Sequence, residues 1–430
     1  EYASHKAAQV DLKNKKTSPA LIKTNIENNF IRELDRNVRE FSVGANWGVT
    51  QELTAIMAVV LDTQPETQEW IDFNMQTGGQ LNVHGRVDYF GFEYTGGSLL
   101  NQLYVAGRDG FITETAQLYN TGTARAYFKI AKIYDEYDKY EGINLYDFAK
   151  FRRIVKAPFD VLIGTLMSPN VGDNYQIGAH NTGLTMEYLI NAYDVLKDDP
   201  EYSEHILKLM YIANGYSEKD IHTSIFDENP EEIGDKIGDA VENGVKLDME
   251  SRNITGYGMA ILRGGDWLNS KDRSNNINTQ HGYYIYYGQR ANSHGHMDAL
   301  VMNAYAYGFP VVDDLGGLNV KVSNDAHRHE FLSHTISHNT VTVDDRAHYK
   351  WIYSHPLHFD STERVSLMDV SVPGVYAAND RTDAQFKNYP DVDTVTISGL
   401  NQETFEYFIL NYGKQLKAIR FFKNKQIEDL

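Results

Sequence analysis

The sequence of 430 residues contains no cysteine. That absence excludes disulfides, thiolate metal sites and cysteine nucleophiles together, and it suits either side of a membrane. Proline is scarce, at 10 residues, so long helices are open to the chain. No apolar run approaches the length of a membrane span. The chain opens on Glu1 rather than Met and shows no signal-peptide pattern, which reads as a mature or trimmed piece. Basic residues are outnumbered, with 40 Lys and Arg against 59 Asp and Glu, for a formal charge of −19. Such a balance argues against a nucleic-acid binder, whose phosphate contacts need basic patches. It leaves room for a polyanionic substrate held in a locally basic cleft.

What is present is an ordinary globular composition, 23% charged and 42% hydrophobic. The length exceeds what one hydrophobic core usually supports, so two domains are expected. The 29 Tyr and 19 Phe suit stacking on sugar rings, although most tyrosines simply pack with the hydroxyl at the surface. Helical periodicity dominates from about residue 30 to 250. Thr50–Leu61 places Leu53, Ile56, Met57 and Val60 on one face, and Thr123–Tyr137 does so with Tyr127, Ile130, Ala131 and Tyr134. Gly183–Lys197 and Ser203–Gly215 repeat the pattern. Near Ser251 the pattern changes to short, β-branched or aromatic runs: Tyr257–Arg263, His281–Gly288, Ala299–Tyr307, Phe309–Val312, Thr340–Val343, Val392–Ile397 and Phe405–Leu410. These predict an antiparallel sheet region, best built as a sandwich.

Ten of the 15 histidines fall between His281 and His358. Within that stretch, Asn292–Asp298 (NSHGHMD) holds His294 and His296 two residues apart. On a strand the two side chains would share a face; in a loop they need not. Asp314 follows at the end of the run Phe309–Val312, and His338 precedes Thr340–Val343. Imidazoles and a carboxylate delivered from separate strand ends can converge on one metal ion. A lone His-x-His is more simply a pair of surface histidines bonded to carbonyls, but the added Asp and third His favour the metal reading.

Taken in order, Tyr257–Arg263 (YGMAILR), Ser293–Asp298 (SHGHMD), Tyr305–Gly308, Asp313–Gly316 and Ser337–Asp344 (SHNTVTVD) resemble the heparinase II/III-type polysaccharide lyases. That group is similar to the alginate and oligoalginate lyases. The likeness is specific over roughly residues 255–345 and looser over the helical part. It implies an α+β multidomain fold: an (α/α) toroid over residues 1–250, then an antiparallel β-sandwich over residues 251–430 that the chain need not complete. It also implies a secreted or periplasmic protein acting on an anionic polysaccharide or oligosaccharide. In the same terms, His296, Asp314 and His338 would bind a Zn2+ ion that is mainly structural, with Asp313 a neighbouring competitor. His294 would face the substrate.

The reaction implied is β-elimination at a uronic acid, giving a 4,5-unsaturated uronate. It needs a group to offset charge on the sugar carboxylate, a base for the C5 proton and an acid for the leaving oxygen. The resemblance assigns the base and acid to Tyr119, in Asp109-Gly110-Phe111…Tyr119-Asn120, with Arg125 or Arg108 as nearby positive charge. Asn46 fits the carboxylate neutraliser, while Trp47 stands where a His is often found and would serve as core or as a platform for a sugar ring. His84 is a candidate to replace that histidine, His180 follows a loop (Gly172-Asp173-Asn174-Tyr175) that could reach the cleft, and Arg290 could bind a substrate carboxylate. No Tyr occurs from Asp314 to His338, so the exolytic alginate pattern is not reproduced; His327, Arg328 and His329 lie in that interval. Two other classes stay open: a zinc hydrolase built on His294, His296 and Asp314, which lacks a His-Glu-x-x-His motif, and a non-catalytic carbohydrate-binding protein. In the lyase reading the acid–base partner is expected from the helical part.

Overall fold

The structure is a computed structural model that describes residues 18–39, 43, 48–77, 98–112, 115–164, 166–174, 183–221, 230–244, 249–265, 279–288, 294–317, 331–343, 347–348, 354–362, 364–372, 420–423 and 426–429. Helices come first and strands second. The last described helix ends at Glu242 and the first strand starts at Arg252. Two compact units divide the chain, one of residues Glu1–Val105 and Thr123–Phe148, the other of Ala106–Gly122 and Ala149–Leu430.

The first unit is helical among its described residues: α1 (Pro19–Ile26), α2 (Arg32–Arg39), α3 (Val49–Leu61), α4 (Glu66–Asp72), α5 (Leu99–Val105) and most of α6 (Gln117–Asp135), whose first turn belongs to the second unit. In α6 the expected face is the buried one, with Tyr127, Ile130, Ala131 and Tyr134 all in the core. Helix α3 keeps Met57 of the expected face in the core but otherwise turns a neighbouring face inward. Thr54, Ala55, Ala58 and Leu61 are buried, while Ile56 and Val60 are 41% and 65% exposed. Thr67 Oγ1 donates to the carbonyl of Ala58 at 2.9 Å.

The second unit holds α7 (Ala149–Asp160), α8 (Met186–Leu196), α9 (Ser203–Ala213), α10 (Pro230–Glu242) and the strands. Five strands form one antiparallel sheet in sequence order: β1 (Arg252–Ile254), β2 (Met259–Gly264), β3 (His281–Tyr286), β4 (Val301–Ala306) and β5 (Phe309–Val312). Register runs Met259↔Tyr286 and Tyr286↔Val301, so side chains alternate between faces as period two requires. One face, with Tyr284, Tyr286, Val301, Asn303 and Tyr305, is buried. The Tyr305 ring lies where a Cβ on Gly164 would be, which brings the sheet close to the chain leaving α7. The other face exposes Tyr283, Met302, Phe309 and Val311. Two hairpins, β6–β7 (His355–Ser361, Ser366–Ser371) and β8–β9 (Arg420–Lys423, Gln426–Asp429), complete the described strands.

Four of the expected runs are therefore strands. Thr340–Val343 is not one: Thr340 N donates to His338 O and Thr340 Oγ1 to Ala299 O, with an isolated bridge position at Val343. Val392–Ile397 and Phe405–Leu410 lie outside the described residues.

Candidate active site and metal centre

The stretch 294–298 is a loop joining β3 to β4, and its two histidines part company there. Its backbone is pinned towards its end, by Met297 N donating to Ser333 O and, just beyond it, by Leu300 N donating to Tyr286 O, each at 2.9 Å. His296 is 1% exposed, whereas His294 is half-buried with its ring on Tyr119. The shared direction that a strand would impose does not occur.

His296 belongs to a closed group. Ligand atoms of His296, Asp314 and His338 all lie within 4.8 Å of one another, and all three residues are buried. Such a group could hold a metal ion. His338 Nδ1 stands 2.7 Å from Asp314 Oδ2, and Asp314 Oδ1 accepts from Gly316 N at 2.9 Å. His338 follows a 3-10 turn, Thr335–Ser337, and its ring lies 5.2 Å from that of His296. Asp313, the competing ligand, is outside the group; its carbonyl accepts from Asn339 Nδ2.

The group's electrostatics fit a cation. His296 Nδ1 and His338 Nε2 are buried without a hydrogen-bond partner, and so are both carboxylate oxygens of the fully buried Asp298. Burying polar atoms unsatisfied is costly, and a positive ion held by His296, Asp314 and His338 would remove that cost for the ring nitrogens it binds. Burial pushes the Asp298 carboxyl up, against the opposing pull of His338 and His296. Burial pulls the His338 imidazole down, but the Asp314 carboxylate and its hydrogen bond outweigh this, and its pKa is raised.

Asp173 was not visible as part of this site in the sequence. Its Oδ1 stands 3.0 Å from His296 Nε2, across 123 residues, with both side chains buried. The same residue's N–H donates to the carbonyl of His294 at 2.8 Å. Its neighbours act alongside it: Asn170 Nδ2 donates to Asp314 O, and Asn174 Oδ1 accepts from Leu118 N. Gly172 has a positive φ of 64°, and a Cβ there would run into the His294 carbonyl. The run Gly172–Asn174 is legible only as a loop; nothing in its spacing points to His296.

Tyr119 sits in the first turn of α6, half-buried. Its ring stacks on that of His294, with centroids 3.7 Å apart and planes 13° from parallel. Asn120 caps the preceding loop, accepting from Ile112 N at 2.9 Å, and the Leu118 amide is held by Asn174. Tyr257 steadies the same segment: its hydroxyl donates to Thr115 O and its ring stacks on Phe111 at 4.2 Å. Two residues singled out separately in the sequence are thus in direct contact. Of the positive charges considered, Arg108 is exposed and donates to Thr255, while Arg125 is half-buried in the first unit. Asn46, Trp47, His84, His180, Arg290, His327, Arg328 and His329 lie outside the described residues.

No family model matches the sequence, and no curated protein does. Solved structures do match. Heparinase III superposes with a TM-score of 0.50 at 13% identity, covering 82% of this chain and 54% of its own. Heparan sulfate lyase HepC from Pedobacter heparinus gives 0.50 at 11% identity, covering 83% of this chain and 46% of its own. A mutant of HepC gives 0.51 at 11% identity, covering 80% and 43%. The likeness shows a common fold, helices followed by antiparallel sheet. This chain spans about half the length of those lyases, between 43% and 54%.

Proposed function

We propose that this chain forms the active site of a polysaccharide lyase that cleaves a uronic-acid polymer by β-elimination, leaving a 4,5-unsaturated uronate. The single observation carrying this reading is the stack of Tyr119 on His294, next to a buried group suited to a metal ion. The fold shared with heparinase III and heparan sulfate lyase HepC supports it. The finer architecture we propose is an (α/α) toroid over residues 1–250 and a β-sandwich over residues 251–430. A secreted or periplasmic location follows from a polymeric substrate outside the cell.

In this reading Tyr119 removes the C5 proton of the uronate. The freed electron pair forms the C4–C5 double bond as the C4–O bond breaks, and the tyrosine hydroxyl returns a proton to the leaving oxygen. His294 holds the Tyr119 ring in place and presents its imidazole to the substrate. Asn46 donates to the sugar carboxylate, offsetting charge that develops at C5. Trp47, His84, His180, Arg290 and Arg125 are proposed to line the substrate path. Zinc suits the donor set of His296, Asp314 and His338, and when bound would fix the 294–298 loop.

The zinc-hydrolase alternative fits less well, because His294 is outside the group and its members are closed to a substrate. Metal-loaded protein is to be incubated with heparan sulfate, chondroitin, hyaluronan, alginate and ulvan, following the ultraviolet absorbance of the unsaturated product. A rise with at least one polymer supports the lyase. Silence on all five, with folded protein, contradicts it and favours a binding protein.

A further inference from the structure

We infer that Asp173 is a positioning residue that orients His296 for the metal and couples that centre to the Tyr119–His294 pair; the inference rests on the metal reading above. A histidine that ligates an ion through one ring nitrogen usually gives its other N–H to a carboxylate, a carbonyl or water, which fixes the tautomer and the ring orientation. His296 has that arrangement. Its Nε2 faces Asp173 Oδ1 at 3.0 Å, and its Nδ1 is buried without a partner. Asp173 therefore selects the Nε2–H tautomer and leaves the Nδ1 lone pair for the ion. Asp173 itself is outside the ligand group, so its part is orientation and not ligation.

The surrounding residues are shaped around this carboxylate. A Cβ on Gly317 would overlap Asp173 Oδ1, so that position leaves space for it just beyond the ligand Asp314. On its other side, the Asp173 N–H holds the His294 carbonyl, and Asn174 holds the amide beside Tyr119. One short segment thus grips the metal ligand with a side chain, His294 through its carbonyl, and the residue before Tyr119 through its amide. An ordinary buried ion pair would need only the first of these contacts. Orientation of His296 and registration of His294 on Tyr119 become one event.

The test is zinc titration against a competing chromophoric chelator, with the parent, Asp173→Asn, Asp173→Ala and Gly317→Ala proteins. The expected losses of affinity are roughly 10–100-fold for Asp173→Ala, smaller for Asp173→Asn, which keeps an acceptor, and in the same direction for Gly317→Ala. Nitrogen-15 NMR of histidine-labelled, zinc-loaded parent should show His296 metallated at Nδ1 and protonated at Nε2. If Asp173→Ala does not fold, Asp173→Asn and the parent spectrum decide. Zinc uptake by the parent with unchanged affinity in Asp173→Ala, or His296 metallated at Nε2, overturns the inference alone. A parent that takes up no zinc overturns the metal reading and the inference with it.

Discussion

His294 and His296 are two residues apart and face opposite fates. His296 is enclosed with Asp314, His338, Asp298 and Asp173, where every polar atom needs a partner and two ring nitrogens lack one. His294 is partly exposed, with its ring on Tyr119 and its carbonyl held by the Asp173 amide. The difference teaches that local sequence does not assign a histidine its role. Burial does: an enclosed imidazole must be satisfied by fixed groups or an ion, whereas an open one is available to a ligand.

The comparison can be broken on either side. The largest effect is expected for Tyr119→Phe, which removes the hydroxyl and keeps the stack. Turnover should fall by about 10²–10⁴-fold, the range for loss of a general acid–base group, while zinc content and melting temperature stay at the parent values. Next is His338→Ala, which leaves Asp314 buried without its partner at 2.7 Å. Loss of stability of about 3–5 kcal/mol is expected from breaking a buried charged pair, read by denaturant unfolding. The converse outcome, lost turnover with intact stability, would move the metal group into the chemistry.

A smaller effect separates the two regions by pH. In metal-free protein the raised pKa of His338 makes the native state hold a proton more tightly than the unfolded chain. That contribution is fully present below the unfolded value of 6.5 and is lost as pH rises through the folded pKa. Metal-free protein should therefore melt lower as pH rises above about 6.5 toward the folded pKa of His338. Zinc competes with protons for the same nitrogens, so the gain in melting temperature on adding zinc should grow over that interval. A gain independent of pH contradicts histidine ligation. The smallest expected effect is Gly172→Ala, where a positive φ and the His294 carbonyl both oppose a side chain. A cost of about 1–3 kcal/mol, with turnover falling and zinc retained, marks this loop as the support of the open histidine.

Much of this site is legible in the sequence because its parts carry distinctive residue types. His296, Asp314 and His338 are each at the end of a strand-like or turn segment, and the structure groups them. Tyr119 and His294, proposed on resemblance, prove to be stacked. Asp173 was not legible, since an aspartate in a Gly-Asp-Asn loop signals a turn, and only folding brings it across 123 residues. Strands β2 to β5 follow from alternation and β-branched runs. At Thr340–Val343 the hydroxyl of Thr340 is used by Ala299, across 41 residues, and its amide by His338, pairings that β-branched composition does not reveal. In α3 the periodicity is real, but Thr54, Ala55, Ala58 and Leu61 join Met57 in the core while Ile56 and Val60 face outward.

The central claim is the division of labour between the two histidines, and one paired measurement addresses it. Zinc content and turnover on a cleaved uronate polymer are to be measured side by side for His294→Ala and His296→Ala. The account predicts that His294→Ala keeps its zinc and loses turnover by about 10²-fold or more, while His296→Ala loses its zinc. Zinc lost from His294→Ala, or full turnover retained by it, would contradict the division.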